Sequence, residues 1–222
     1  MIQDLHAHTW HSFCGRDDPH AIIRAAIEGG VELFGISDHS YGVAHQRDYS
    51  YHPERDEWLS DYQRSLDSYL TSLHLLRDLY ADQITIKCGI EIPTANIPHI
   101  LLPKEVDISG FDYCLLEHLD QDVTTEPDLF ALADRCGCPA VGVAHTDLPL
   151  FLDRQGIDKL AFFTEMAKRN IFWEMNVSYD SIHNYQRLVS SRNRTAASDS
   201  DTTLISRSSA ARVKLRSGYP SL

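Results

Sequence analysis

One pattern constrains this chain more than any other: short apolar runs rich in Ile, Val, Leu and Phe alternate with longer segments of helical period. Residues 2–5, 32–37, 84–92, 111–116, 140–144 and 171–177 read as buried strands, too short and too continuously apolar to be amphipathic helices. Between them, Asp17-Asp18-Pro19 and Gly29-Gly30 punctuate a helix at both ends. Leu59, Tyr62, Leu66, Tyr69, Leu70, Leu73 and Leu76 fall at helical spacing within 54–81, and 128–136 and 156–170 are two further helices. Strands separated by helices pair in parallel, so the expected fold is α/β, and a barrel in particular.

The residues that end the six strands carry the chemistry. They are His6-Ala7-His8, Asp38-His39, Glu91, His118, His145 and Glu174-Met175-Asn176. In a β/α barrel these carboxyl ends converge on one face, where active sites are built. The stretch DLHAHTWHS alone would say little, because composition predicts roughly 0.6 of a His-x-His pair by chance. Singly, His118 or His145 would be an ordinary core histidine and Glu91 an ion-pair partner; their equivalent placement on successive strands is what favours ligation. Histidines two apart on a strand point the same way. Imidazole with carboxylate suits zinc, iron or manganese. Five histidines and a glutamate exceed the needs of one tetrahedral ion, so two or more ions sharing Glu91 as a bridge is the economical arrangement. Such a pair lowers the pKa of a bridging water and clamps a phosphoryl group. His11, His20, His45, His52, His74 and His99 lack this placement, whereas His183, after the sixth strand, is a further candidate at the same mouth.

A net charge of −12 argues against a nucleic acid or an anionic membrane surface as partner, since both select a basic face. An anionic substrate would then be drawn by bound cations rather than by the protein's own field. No apolar run approaches the ~18 residues that span a bilayer, and MIQDLHAH lacks the basic and apolar regions of a signal peptide. Five cysteines, with Cys88 and Cys114 inside apolar runs and Cys136-Gly137-Cys138 one residue short of a Cys-x-x-Cys pair, read as thiols of a reduced, cytoplasmic protein. Past Gln186 the periodicity ends: residues 187–222 are Ser- and Arg-rich, with seven basic and two acidic side chains. This segment reads either as a disordered tail or as one foreign to the fold of 1–186.

DLHAHT, GISDHS, CGIEIP, LLEHL, VGVAHTD and FWEMNVS, in this order, resemble the motifs of the polymerase and histidinol phosphatase (PHP) family. The resemblance implies a distorted (β/α)7 TIM-like barrel with two or three divalent ions (zinc, manganese or iron). It implies hydrolysis of a phosphate monoester of a small metabolite, as in histidinol-phosphatase-like enzymes, by a metal-bridging hydroxide attacking phosphorus in line. His6, His8, His39, Glu91, His118 and His145 stand at its ligand positions, with Glu91 and His39 at the catalytic centre. The family usually places Asp or His six residues beyond the second histidine; here Cys14 stands there, and a thiolate favours zinc over manganese. The family's final strand, ending in Asp-x-His, has no counterpart, since Asp199-Ser200-Asp201 lacks the histidine and follows no apolar run. That absence fits a C-terminus altered by a reading-frame error, and it keeps open a non-catalytic PHP scaffold. An amidohydrolase-type barrel shares the His-x-His but uses a lysine bridge, where this chain has Glu91. The insertion beginning at 41–58 is expected to overhang the site, and Arg16, Arg47 and Lys104 are basic residues available for phosphate, though most such side chains are simply solvated.

Overall fold

The computed structural model describes residues 1–49, 62–94, 102, 105–119 and 129–174. The expected tail, the Asn176 and His183 positions, Lys104 and the start of the long helix lie outside them. In chain order the elements are β1 (Gln3–Asp4), α1 (Pro19–Glu28), β2 (Leu33–Ile36), α2 (Ser40–Tyr49), α3 (Tyr62–Leu79), β3 (Thr85–Pro93), β4 (Tyr113–Glu117), α4 (Leu129–Cys136), β5 (Val141–Ala144), α5 (Leu148–Gln155), α6 (Lys159–Lys168) and β6 (Ile171–Trp173). The strands pair in sequence order, every neighbour parallel. The sheet curls into a half-barrel, and the fold is α/β as expected.

Alternation along each strand sorts the side chains into two cores. Outward-facing Phe34, Ile36, Ile86, Cys88, Ile90, Cys114, Leu116, Val141 and Val143 pack against the helices. Inside the curl a small second cluster holds Tyr113, Leu115 and Ala144, with Leu5, Ala140 and Phe172 against it. Tyr113 lies across this interior and donates from its hydroxyl to the Leu5 carbonyl, 2.7 Å away, so β4 is tied to the end of β1. Gly35 and Gly89 make room for its ring: a Cβ at either would run into Tyr113.

The helices follow local rules. Asp18 caps α1 by accepting from the His20 amide, with Pro19 in the first turn, and Asp158 caps α6 through Ala161. The apolar stripe of α3 buries Tyr62, Leu66, Tyr69, Leu73 and Leu76. Two helices were not expected. For α5 the signals were present in the sequence, an Asp147 cap, Pro149 in the first turn and Gly156 left-handed at the end. For α2 they were not: SYGVAHQRDY has no apolar stripe, and the helix starts where the buried end of β2 turns, with the Val43 amide donating to the His39 carbonyl. Among the described residues no helix is long and apolar enough to cross a membrane.

If the Tyr113 ring sets the inner radius, Gly89→Ala should destabilise the fold by about 1–3 kcal/mol through overpacking, read as a lower urea midpoint. A midpoint unchanged in Gly89→Ala would mean the interior is loosely filled.

Candidate metal centre

At the carboxyl ends of the strands the inward-facing positions become polar. Glu91 lies one inward step beyond Gly89, Glu117 beyond Leu115, and Glu174 beyond Phe172. Glu91 is fully buried, at 0% exposure, in the middle of the group. His6 Nε2 is 3.1 Å from Glu91 Oε1 and His145 Nε2 is 3.5 Å from the same oxygen. His8 Nε2 and His39 Nδ1 approach Oε2 at 3.3 and 3.0 Å. Glu117 Oε1 is 3.3 Å from His39 Nδ1. Three sets of potential donor atoms, each within 4.8 Å of one another, result: His6, Glu91 and His145; His39, Glu91 and Glu117; and His8, Cys14 and His39. Donors on one ion at zinc-like bond lengths of about 2.0–2.2 Å sit roughly 3.3–3.6 Å apart in a tetrahedron, so these spacings suit shared cations.

The hydrogen bonds behind the cluster fix where its protons lie. Asp38, buried at 0% exposure, accepts four bonds: from the Thr9 amide and Ser12 hydroxyl at 2.7 Å each on Oδ1, and from the Thr9 hydroxyl at 2.7 Å and the Tyr69 hydroxyl at 2.9 Å on Oδ2. Ser12 thereby commits its one hydroxyl proton to Asp38. It also accepts from the His39 amide at 2.9 Å, and lies 3.2 Å from His8 Nδ1. His8 must donate in that contact, so the proton of its neutral ring sits on Nδ1 and Nε2 is a bare lone pair. His6 Nδ1 donates to Glu174 Oε1 at 2.8 Å, which likewise leaves Nε2 bare. A carboxylate behind a histidine is the usual support of a metal ligand.

These two bare nitrogens face each other at 2.9 Å, beside the Glu91 carboxylate. Lone pairs and a negative charge do not gather without a proton or a cation between them. The Glu91 oxygens and His39 Nδ1 meet only their close ion-pair partners, without good hydrogen-bond geometry, and Glu174 Oε2 is buried with no hydrogen-bond partner, against the rule that buried polar atoms are paired. Without an ion, protons fill the gap. Burial opposes charge on His6, but Glu91 and Glu174 outweigh it and hold the ring well above its ordinary pKa. His39 is raised the same way, burial being overcome by Glu91, Cys14 and Glu117. Burial, with the like charge of His6 and His39, pushes His8 down to about 4 against the pull of Glu91. Glu91 is held well below the carboxylate range, since its imidazole neighbours outweigh its burial.

The backbone contributes as well. His118 and His145, at the ends of β4 and β5, take positive φ values of 63° and 48°, a region few non-glycine residues occupy and one that concentrates at functional sites. Alternation would send His118 outward after inward-facing Glu117; the left-handed turn puts its Nε2 3.3 Å from Glu117 Oε2 and stacks its ring on His145 at 5.3 Å.

Of the seven residues expected as ligands, His6, His8, Cys14, His39, Glu91 and His145 contribute to the three donor sets, Cys14 from the exposed rim. His118 stands beside the sets rather than in one. Glu117 was missed, because the strand was read as ending in His118; the alternation Tyr113, Leu115, Glu117 was the available signal. Glu174 was read as a strand-end residue, not as the support of His6. His20, set aside, bonds Tyr80 at 2.9 Å, and His11 packs edge-on against Tyr69. Arg16 is exposed. The chain matches no known family model, no curated protein and no solved structure.

Two outcomes are expected. Ser12→Ala, which frees the His8 tautomer, should weaken zinc binding about 10–100-fold in competition with a chromophoric chelator; an unchanged constant would detach Ser12 from the site. Zinc binding near pH 7 should release protons, because His6 and His39 hold them only until an ion takes their place. Apparent affinity should therefore fall as pH is lowered, and calorimetry in buffers of different ionisation enthalpy would count the protons.

Proposed function

We propose that this chain is a metal-dependent phosphoesterase of the PHP type, acting on a phosphate monoester of a small metabolite. The observation that carries the reading is the convergence of His6 Nε2, His8 Nε2 and the Glu91 carboxylate, at 2.9 Å between the two rings and 3.1 and 3.3 Å to the carboxylate oxygens. The donor sets fit two or three divalent ions. His8, Cys14 and His39 offer the sulfur and nitrogen that zinc prefers; His39, Glu91 and Glu117 offer a harder, oxygen-rich set open to manganese or iron. Bound there, such ions would supply a water acidic enough to ionise near neutral pH and positive charge to offset the phosphoryl oxygens.

The chain's own side chains hold and orient. Glu91 stands where two donor sets meet, and His39 belongs to two sets, in keeping with their expected central roles. Asp38 and Ser12 aim His8, Glu174 aims His6, and the Tyr113–Leu115 layer fills the inside of the curl beneath them with apolar side chains. The motifs resembling the PHP family support the same reading, since five of the six ligand positions they imply, those of His6, His8, His39, Glu91 and His145, fall in the donor sets. A −12 protein leaves attraction of a phosphate dianion to bound cations.

The test is hydrolysis of an aryl phosphate by chelator-treated chain resupplied with zinc, manganese or iron, beside Glu91→Gln. Metal-dependent turnover lost by at least about a hundredfold in Glu91→Gln is expected. Tight ion binding without turnover would leave a metal-binding scaffold in place of an enzyme, and weak binding with every ion would remove the reading altogether.

A further inference from the structure

Behind the candidate metal centre, three hydroxyl groups share one arrangement. Each takes a backbone N–H on its oxygen and gives its own proton to the Asp38 carboxylate. Ser12 accepts from the His39 amide at 2.9 Å and donates to Oδ1 at 2.7 Å. Thr9 accepts from the His11 amide at 3.2 Å and donates to Oδ2 at 2.7 Å. Tyr69, in the middle of α3, accepts from the amide of Asp38 itself at 3.2 Å and donates to Oδ2 at 2.9 Å. With the Thr9 amide on Oδ1, all four lone-pair positions of the carboxylate are taken. A hydroxyl has one proton, so the direction of every bond in the set is fixed.

We infer that Tyr69 is a positioning residue that holds His8 in the tautomer with its proton on Nδ1, acting through Asp38 and Ser12. Of the three hydroxyls it alone comes from a helix, and it grips both the amide and the carboxylate of Asp38. Tyr69 is buried, with its ring in edge-on contact with His11 at 5.2 Å and beside Phe111 at 6.1 Å. Burial, and then the charge of Asp38, hold the hydroxyl well above its ordinary pKa, so its proton stays in place.

Without that hydroxyl, one Oδ2 lone pair and the Asp38 amide lose their partner together. Buried groups left unpaired are costly, so Asp38 would shift to find others. Ser12 is then no longer bound to spend its proton on Oδ1. Turned to His8 Nδ1, 3.2 Å away, it would donate there, and the imidazole proton would move to Nε2. That proton would cover the lone pair that faces Glu91 at 3.3 Å. The loss of a metal ligand in this way rests on the metal-dependent reading of the site; the tautomer itself does not.

The test is nitrogen-15 NMR of the metal-free full chain near neutral pH, wild type beside Tyr69→Phe. In the wild type, His8 should carry its proton on Nδ1 and the Tyr69 hydroxyl proton should exchange slowly. In Tyr69→Phe the Nε2–H form of His8 should appear, and zinc affinity against a chromophoric chelator should fall about tenfold. Leu73→Ala, one turn further along the same buried stripe of α3, should lower stability through its cavity yet leave tautomer and affinity unchanged. An unaltered His8 in Tyr69→Phe, or an equal change in Leu73→Ala, would overturn the assignment. Should Tyr69→Phe fail to fold, the wild type decides: a His8 proton on Nε2, or a Tyr69 hydroxyl exchanging as fast as an exposed one, overturns it as well. A chain that binds no zinc yet shows the tautomer change would support the assignment and remove only the metal reading.

Discussion

One aromatic ring sets the dimensions of this protein. The curl of the sheet leaves an interior wide enough for Tyr113 only because β2 and β3 present glycine there, and the ring in turn ties β4 to the end of β1 through the Leu5 carbonyl. Everything above that layer depends on it. Glu91 stands one inward step beyond Gly89 and Glu117 two beyond Tyr113, so the carboxylates rise from a dry floor. The His6–Glu174 bond then spans from the end of the first strand to the end of the sixth. A half-barrel thus holds imidazole and carboxylate atoms from strands distant in sequence at hydrogen-bonding range.

The cost of that arrangement is electrostatic. Fully burying a carboxylate is unfavourable unless opposite charge compensates it, and Glu91 is compensated by imidazoles alone. In the ion-free chain His6 and His39 must be cationic for this to hold, while His8 stays neutral. Any metal ion that bound the cluster would have to displace these protons, since both would use the same lone pairs. Asp38 does the opposite work. Its carboxylate accepts four hydrogen bonds from uncharged donors, so its charge is satisfied locally and it serves as an anchor rather than a ligand.

Most of the fold was legible in the sequence because its signals are local. Apolar runs marked the strands, and Asp18-Pro19 and Gly29 marked α1. The site was legible to the extent that strand ends converge in any parallel barrel, which brought His6, His8, His39, Glu91 and His145 to one place. Three things were not. Glu117 was masked by the histidine after it, since a left-handed residue breaks the alternation on which strand reading relies. Asp38 was read only as a strand-end residue beside His39, because its partners Thr9, Ser12 and Tyr69 come from separate parts of the chain and meet only in the folded state. The α2 helix has too little amphipathic pattern to register, because what holds it is packing against α3 with Val43 in the core, a contact distant in sequence.

The bonds that Asp38 gathers have a further consequence. They weld the segment after β1, the end of β2 and the middle of α3 into one unit, and that unit carries His8 and His39, with Cys14 two residues beyond Ser12. A cation binding there would meet donors whose directions are already set, so little of its binding energy would go into ordering them. If a metal ion binds there, donors held in this way would favour an ion whose radius and geometry match their spacing over a calcium-like ion that takes six to eight oxygens at about 2.3–2.6 Å.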